Sequence, residues 1–461
     1  MNMKIVMKFG GTSLGSGESI RSAARIIASH NQRNELLVVV SAMAGVTDSL
    51  ISIANKVVHN PDEKIIPRFI RKLRIKHFAA CEEALQEKSR QEKVKKRIND
   101  LLLEVRVLLQ AVQSLEELSD GSQDRIISYG EKLVIPILQA ALQEKGIKSR
   151  LFFGEHLIVT NDNFGGAQYL EKETVNCLNE SQILQRNTVA IVTGFAGRTK
   201  HGKITTLGRG GSDYSAAILG GCLNVDEIWI WTDVDGVMTA DPDLVEAAKS
   251  IKTLSYAEIK EMAYFGAKVV HPWALEPAAK KNIPIRVKNT FNPQHQGSLI
   301  TGDIRKVYGL VKSIAAIHDV VVITARSSRL DQTLDTSEKI FQLINQYRVP
   351  LISQTSSMQS ITLIVKREPA AKLWELMQQK LETQGIKFDI LENMGLVTLV
   401  GAGMQQTIGL GARLFGALSN AKVNVCGISH GSSEMNISLI VRKDDVKKAL
   451  HVLHKEFLLG L

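Results

Sequence analysis

Three short glycine loops hold the residues whose types and spacing could do chemistry. They read Lys8-Phe9-Gly10-Gly11-Thr12-Ser13, Ser41-Ala42-Met43-Ala44-Gly45-Val46-Thr47 and Gly208-Arg209-Gly210-Gly211-Ser212-Asp213. Each follows a strand-like run, and backbone N–H groups opened by glycine near a helix start make a place for an anion. One Gly-Gly turn is more often an ordinary turn than a ligand site. Three in one region, two of them with a basic side chain, point to phosphates and carboxylates.

Familiar nucleotide fingerprints are excluded. Residues 197–203 fit GxxxxGK, but Ile204 stands where a phosphate loop needs a hydroxyl for magnesium, and residues 204–207 read as a strand. That match belongs to a hairpin. No GxGxxG follows the first strand, and neither HExxH nor a protein-kinase catalytic loop occurs. His271 reads as structural. Cys81, Cys177, Cys222 and Cys426 show no CxxC pairing, which argues against a zinc site or a disulfide framework and suits a reducing cytosol.

The elements that must position the loops follow from periodicity. An apolar strand over residues 4–9 stops at Gly10-Gly11, a helix covers about 18–30, and a second strand covers 36–40. Thr47-Asp48 then opens a helix with Leu50, Ile51, Ala54, Val57 and Val58 at helical spacing. Strand, glycine turn, helix, strand is how an α/β domain with a parallel sheet begins. Residues 65–118 read as helical. There Val94, Ile98, Leu101, Leu102, Val105, Leu108, Leu109 and Val112 make one apolar stripe, expected to pack in the core. Strands resume at 189–192, 227–232 and 283–287.

Beyond about residue 309 the texture changes to an internal repeat. The stretch from Ser357 resembles that from Ser433, with Ile361 and Ile437 in register. Each copy reads strand, helix, strand, strand, helix. The expected strands are 320–324, 350–354 and 361–365, then 397–400, 423–426 and 437–441. Two small α+β modules of the split βαβ kind are implied.

At 461 residues the chain makes about three domain-sized units. Its formal charge of +10 could signal nucleic acid. Much of the basic charge, however, lies in residues 68–97 among glutamates at helical spacing, the pattern of a solvated helix face. No nucleic-acid partner is expected, and the mild positive potential suits collection of anionic substrates. The N-terminus lacks a signal-peptide pattern, and no apolar stretch is long enough for a membrane span. A cytoplasmic protein is expected.

Six landmarks occur in order: KFGGTS (8–13), SAMAGVT (41–47), SYGEKL (128–133), TLGRGGSDYSA (206–216), WTDVDGVMTADP (231–242) and FGAKVVHP (265–272). Together they make the chain resemble the aspartate kinases, within the amino-acid kinase superfamily, over essentially its whole length. The C-terminal repeats look like paired ACT modules. The resemblance implies a three-layer α/β kinase domain with a mainly parallel central sheet over residues 1–305. ACT-like modules would follow at 306–390 and 391–461.

It also implies the reaction: transfer of the ATP γ-phosphate to the side-chain carboxylate of L-aspartate, giving 4-phospho-L-aspartate at the entry to lysine, threonine and methionine synthesis. A carboxylate is already ionised near pH 7, so no general base is needed. Lys8 would stabilise the transferring phosphoryl beside the amides of Gly10 and Gly11. Asp213 would organise the reacting centre, although its place after Gly211-Ser212 also fits a helix N-cap or first turn. For the acceptor the resemblance implies Ser41, Thr47, Glu131, Arg209, Gly210, Gly211 and Ser212. Arg209 can grip a carboxylate in a two-pronged bond, and Glu131 can neutralise an α-ammonium unless it is simply a solvated helix residue. Lys8, Phe9, Gly10, Gly11, Thr232, Asp233 and Lys268 would contact ATP. Magnesium would come with the nucleotide, held by phosphates and water, with no protein metal site.

Some positions depart from the pattern. Asp243 stands where many relatives carry an arginine that reaches the nucleotide, and Met238 where some have an aromatic residue. Residues 351–353 lack the Asp of lysine-sensing relatives, and the loop 327–336 is longer. Lysine and threonine both stay open as effectors of the ACT-like modules. The length leaves no room for a fused dehydrogenase, so a monofunctional homo-oligomer is expected. A kinase of another acidic amino acid, or a catalytically weak amino-acid-binding regulatory protein, are the alternatives.

Overall fold

The computed structural model describes residues 3–266, 272–302, 311–327, 333–381, 386–431 and 434–458. Its contacts divide the chain into two units. One comprises residues 1–237, 250–256 and 269–304, the other 238–249, 257–268 and 305–461. Among the described residues no helix is long and apolar enough to cross a membrane.

The first unit is built where apolar runs meet glycine turns. Its elements run β1 (Met3–Phe9), α1 (Gly17–Asn31), β2 (Asn34–Val40), α2 (Val46–Val57), α3 (Ile65–Ala84), α4 (Lys88–Leu115), α5 (Asp120–Ile127) and α6 (Tyr129–Glu144). There follow β3 (Ser149–Phe152), α7 (Gly154–Leu157), β4 (Val159–Thr160), α8 (Glu171–Ser181), β5 (Val189–Thr193), β6 (Ala196–Thr199), β7 (Ile204–Thr206) and α9 (Gly211–Leu223). The last are β8 (Glu227–Thr232), β9 (Thr253–Ser255), α10 (Tyr256–Tyr264, all but its first residue in the second unit), α11 (Glu276–Lys280), β10 (Ile285–Asn289) and β11 (Ser298–Thr301).

Eight strands form the central sheet in the order β3-β5-β2-β1-β8-β10-β11-β9. All neighbouring pairs are parallel except β10 with β11. Such a sheet needs cover on both faces. Residues 36–40 accordingly have no side chain more than 1% exposed, each worth up to ~1.5–3 kcal/mol by area. Alternate residues Ile5, Met7 and Phe9 enter one core with α1, α2, α3, α4 and α6, while α9 packs over β1 and β8 from the other side. The helical stripe of α4 is core as expected, with Leu108 only partly buried. The GxxxxGK match lies on the β6–β7 hairpin, whose turn uses Gly202 at φ 81.

The second unit follows with β12 (Ser313–Ser327), α12 (Thr333–Gln346), β13 (Leu351–Ser356), β14 (Ser360–Lys366) and α13 (Arg367–Leu381). The second copy is β15 (Ile386–Val400), α14 (Leu410–Asn420), β16 (Gly427–His430), β17 (Asn436–Arg442) and α15 (Val446–Leu458). Both copies share one antiparallel sheet, β13-β14-β12-β15-β17-β16. The repeat is visible in its pairing. Ser353 and Ser429, 76 residues apart like the sequence repeat, share a 2.9 Å hydrogen bond.

Several strand boundaries differ from expectation, and β12 and β15 extend well beyond the strands read at 320–324 and 397–400, which lie within them. The strand read at 283–287 starts at Ile285, because Ile283 N still bonds Ala278 O to finish α11 (3.0 Å). The strand read at 423–426 is absent. Lys422 turns at φ 55 and Val423 N bonds Leu418 O, so the segment ends α14, and β16 begins at Gly427.

Candidate active site

Loops leaving the carboxyl ends of β1, β2 and β5 line one crevice, and the end of β8 lies beside that of β1. The registers pair Phe9 with Val40 and Trp231, and Val40 with Thr193. The chain moves from β1 to β2 on one side and takes β8 on the other, and ligands of open α/β sheets bind outside such a switch point. Short backbone bonds tie the loops together: Ser41 N to Phe9 O (3.1 Å), Ala44 N to Gly11 O (3.1 Å), Gly10 N to Trp231 O (3.1 Å) and Gly194 N to Val40 O (2.9 Å). A Cβ on Gly11 would come within 3.0 Å of Ala42 O, so this approach depends on glycine.

The cavity there has a volume of about 610 Å³. Of the expected residues it collects Lys8, Gly11, Ser41, Thr47, Glu131, Arg209, Gly210, Gly211, Ser212 and Asp213. Lys8 Nζ lies 2.6 Å from Asp213 Oδ1, with the two side chains 11% and 12% exposed. The two side chains form a close, largely buried ion pair. The pair fixes the ammonium in place and leaves the rest of its three N–H donors for a ligand oxygen. Asp213 sits in the first turn of α9, whose N-cap is Gly210. Its first-turn position and its pairing with Lys8 therefore coexist.

Glu131 is not a solvated helix residue. It is 3% exposed in the first turn of α6. Its Oε1 accepts the Ala42 N–H at 3.0 Å, and its Oε2 has no hydrogen-bond partner among the described residues. Burial pushes its pKa up to about 8, against the pull of the Ala42 bond and with a smaller push from the Glu155 carboxylate. The next residue fixes the rotation of the helix. Lys132 Nζ pairs with buried Glu155 at 2.5 Å and lies 4.7 Å from the Tyr129 ring centroid. Arg209 is exposed between Gly208 (φ 76) and Gly210 (φ 72), and makes no ion pair among the described residues. The cavity thus offers a guanidinium, an ammonium and an open carboxylate oxygen, enough to hold an amino acid by both of its charged groups.

Other expected residues stand outside this lining. Phe9 is fully buried and stacks on Trp231, so only its backbone is available to a ligand. Gly10 is buried beside Lys8, with a would-be Cβ 3.5 Å from Nζ. Thr232 ends β8, and its hydroxyl donates to Asp233 Oδ1 at 3.1 Å. Lys268 and His271 lie outside the described residues. Met238 and Asp243 belong to the second unit, and much of the loop 327–336 is undescribed. Among the described residues no three His, Cys, Asp or Glu side chains gather to hold a metal.

Sequence reasoning missed Phe195 and Asp124, which line the same cavity. Phe195 follows Gly194 at the end of β5 and holds φ 71, a strained value for a bulky residue. A strand ending in Thr193-Gly194 is the same signal as the other glycine loops, and could have been read. Asp124 carries no local signal, since its partners are 41 and 82 residues away.

The amino acid kinase family profile matches residues 3–289, and an ACT domain profile matches residues 397–457. The chain belongs to the amino acid kinase family. Its branch of that family is the aspartokinases: chloroplastic aspartokinase 1 of Arabidopsis thaliana is 32% identical, with 98% of this chain and 80% of that protein aligned. Bifunctional aspartokinase/homoserine dehydrogenases of Buchnera aphidicola and Haemophilus influenzae are 30% identical, and the chain spans 56% of each, about half their length. Among solved structures, E. coli aspartokinase III in complex with aspartate and ADP superposes with a TM-score of 0.83 at 28% identity, covering 98% of this chain and 99% of that one. Aspartate kinase from Clostridium acetobutylicum gives 0.79 at 26%, covering 98% and 100%.

Proposed function

We propose that the chain is an aspartate kinase that transfers the γ-phosphate of ATP to the side-chain carboxylate of L-aspartate. The observation that carries this reading is one cavity whose lining brings together Lys8, clamped by Asp213, with a Glu131 oxygen and an Arg209 guanidinium that have no partner among the described residues. Glu131 takes the α-ammonium and Arg209 the α-carboxylate in a two-pronged bond, with Ser41, Thr47, Gly210, Gly211 and Ser212 around them. The side-chain carboxylate is left to face the nucleotide. It attacks phosphorus as the anion, so the protein supplies position and charge, not a base. Lys8 and the amides of Gly10 and Gly11 neutralise the phosphoryl oxygens as the bond to ADP breaks. Phe9 contributes through its backbone, and Thr232, Asp233 and Lys268 complete the nucleotide end.

Magnesium enters with ATP, held by phosphate oxygens and water. Solved complexes of E. coli aspartokinase III, one with aspartate and ADP and one with lysine and aspartate, support the same substrate, nucleotide and class of effector here. The kinase domain of this reading is residues 1–305. The ACT-like modules, 306–390 and 391–461, bind lysine or threonine in a cytoplasmic homo-oligomer. Feedback control then requires a measurable coupling between effector and substrate sites.

Hydroxylamine trapping of the acyl phosphate tests the reaction, with L-aspartate, L-glutamate and N-acetylglutamate as acceptors. Hydroxamate and ADP should form with aspartate alone. Lys8→Met should lower kcat at least about 100-fold, the usual loss when a charge-stabilising donor is removed, in protein of unchanged thermal midpoint. ATP turnover indifferent to every acceptor would instead favour an amino-acid-binding regulator.

A further inference from the structure

We infer that Asp124 is a positioning residue for acceptor binding, acting through the loop that carries Arg209. The inference rests on the kinase reading above. Asp124 lies on α5, 2% exposed, and its carboxylate accepts three hydrogen bonds. Oδ2 takes the N–H of Gly165 at 2.9 Å and that of Thr206 at 2.7 Å; Oδ1 takes the Thr206 hydroxyl at 2.7 Å. The donors come from the loop at Gly165 and from the end of β7, which the carboxylate joins to each other and to the helix that precedes Glu131.

Thr206 stands three residues before Arg209, and its carbonyl is taken by Ala167 N at 2.9 Å. Beyond it Gly208 and Gly210 both have positive φ, and Gly211 N closes onto Gly208 O at 2.9 Å. A Cβ on Gly208 would approach Gly165 O to 3.0 Å, so the two loops already touch. The backbone around Arg209 is therefore held at Thr206 and Leu207 on one side, where Leu207 N bonds Phe195 O at 2.9 Å, and at the start of α9 on the other. Glycines supply no stiffness of their own, and among the described residues the guanidinium has no ion-pair partner to aim it. Its direction depends on the Thr206 anchor. Burial disfavours the ionised form of Asp124, while the Gly165 and Thr206 donors favour it. A charged acceptor of three bonds is a stiff joint.

The test compares steady-state kinetics of Asp124→Asn, Thr206→Val and Thr206→Ser with the wild type, varying aspartate and ATP separately. Asp124→Asn and Thr206→Val should raise the KM for aspartate about tenfold, as expected when a charge-assisted hydrogen bond is lost. The KM for ATP should stay within about twofold, and Thr206→Ser, which keeps the hydroxyl, should restore most of the lost affinity. In an Arg209→Ala background, Asp124→Asn should add nothing further to the aspartate KM, because both changes remove the same interaction. A parallel rise in both KM values, additive effects with Arg209→Ala, or an unmoved aspartate KM would each overturn the positioning role. A wild type that does not phosphorylate aspartate would overturn the kinase reading with it.

Discussion

Glu131 shows how far one residue's surroundings can move its chemistry. An exposed carboxyl would be ionised at pH 7; burial raises the folded value to about 8 from an ordinary 4.5. Between those two values the folded chain holds a proton that the unfolded chain lacks. Stability from this group is therefore fully present below about pH 4.5 and is lost as pH rises through about 8. Glu131→Gln removes that dependence, so its thermal midpoint should gain on the wild type as pH climbs from 6 to 9. A cationic ammonium reverses the preference, and acceptor binding below pH 8 should expel the proton. The wild-type KM for aspartate should accordingly fall as pH rises from 6 to 8, by at most about tenfold per pH unit. Calorimetry in two buffers of different ionisation heat would register the released proton. Equal heats in both would rule the proton out.

Among the elements, α6 and the 41–47 loop are packed more tightly than their sequences indicate. A Cβ on Gly130 would stand 2.8 Å from Ala42 Cβ, so the helix reaches the loop only because this residue is glycine. Gly130→Ala should cost about 1–3 kcal/mol of stability and weaken aspartate binding more than ATP binding, since Glu131 moves with the helix. Thermal melts and the two KM values check this; unchanged values would mean that the helix can shift freely. The strands and helices themselves were legible, because apolar residues recur at two or at 3.6 positions. Boundaries slipped where a helix cap competed with a strand. At 423–426 the apolar valines looked like a strand, but the backbone at Lys422 and Val423 was already committed to closing α14.

At the scale of the whole molecule, the division into units does not follow chain order. Segments 238–249 and 257–268 precede the last strands of the first unit yet belong to the second. Ala240 and Val245 share a core with Val397, Leu399 and Leu450, and Phe265 packs with Val320, Ile352 and Ile364. Glu258, fully buried, bonds the N–H of Ala402 at 2.9 Å and pairs with Lys312. A chain cut after residue 304 should leave these apolar groups uncovered, bind a hydrophobic dye, and run as aggregate on gel filtration. A monodisperse product with full activity would show that the first unit keeps those segments folded by itself.

By itself the sequence determined the elements, the repeat and the glycine loops, along with the family they resemble, since each is written in residues close together along the chain. Only the tertiary structure decided that Glu131 is buried with one oxygen open among the described residues, that Asp213 clamps Lys8, and that Asp124 ties the Gly165 loop to the end of β7. Those facts depend on which distant groups share a small, poorly hydrated space. Local spacing does not encode that environment; the packed sheet and its covering helices create it.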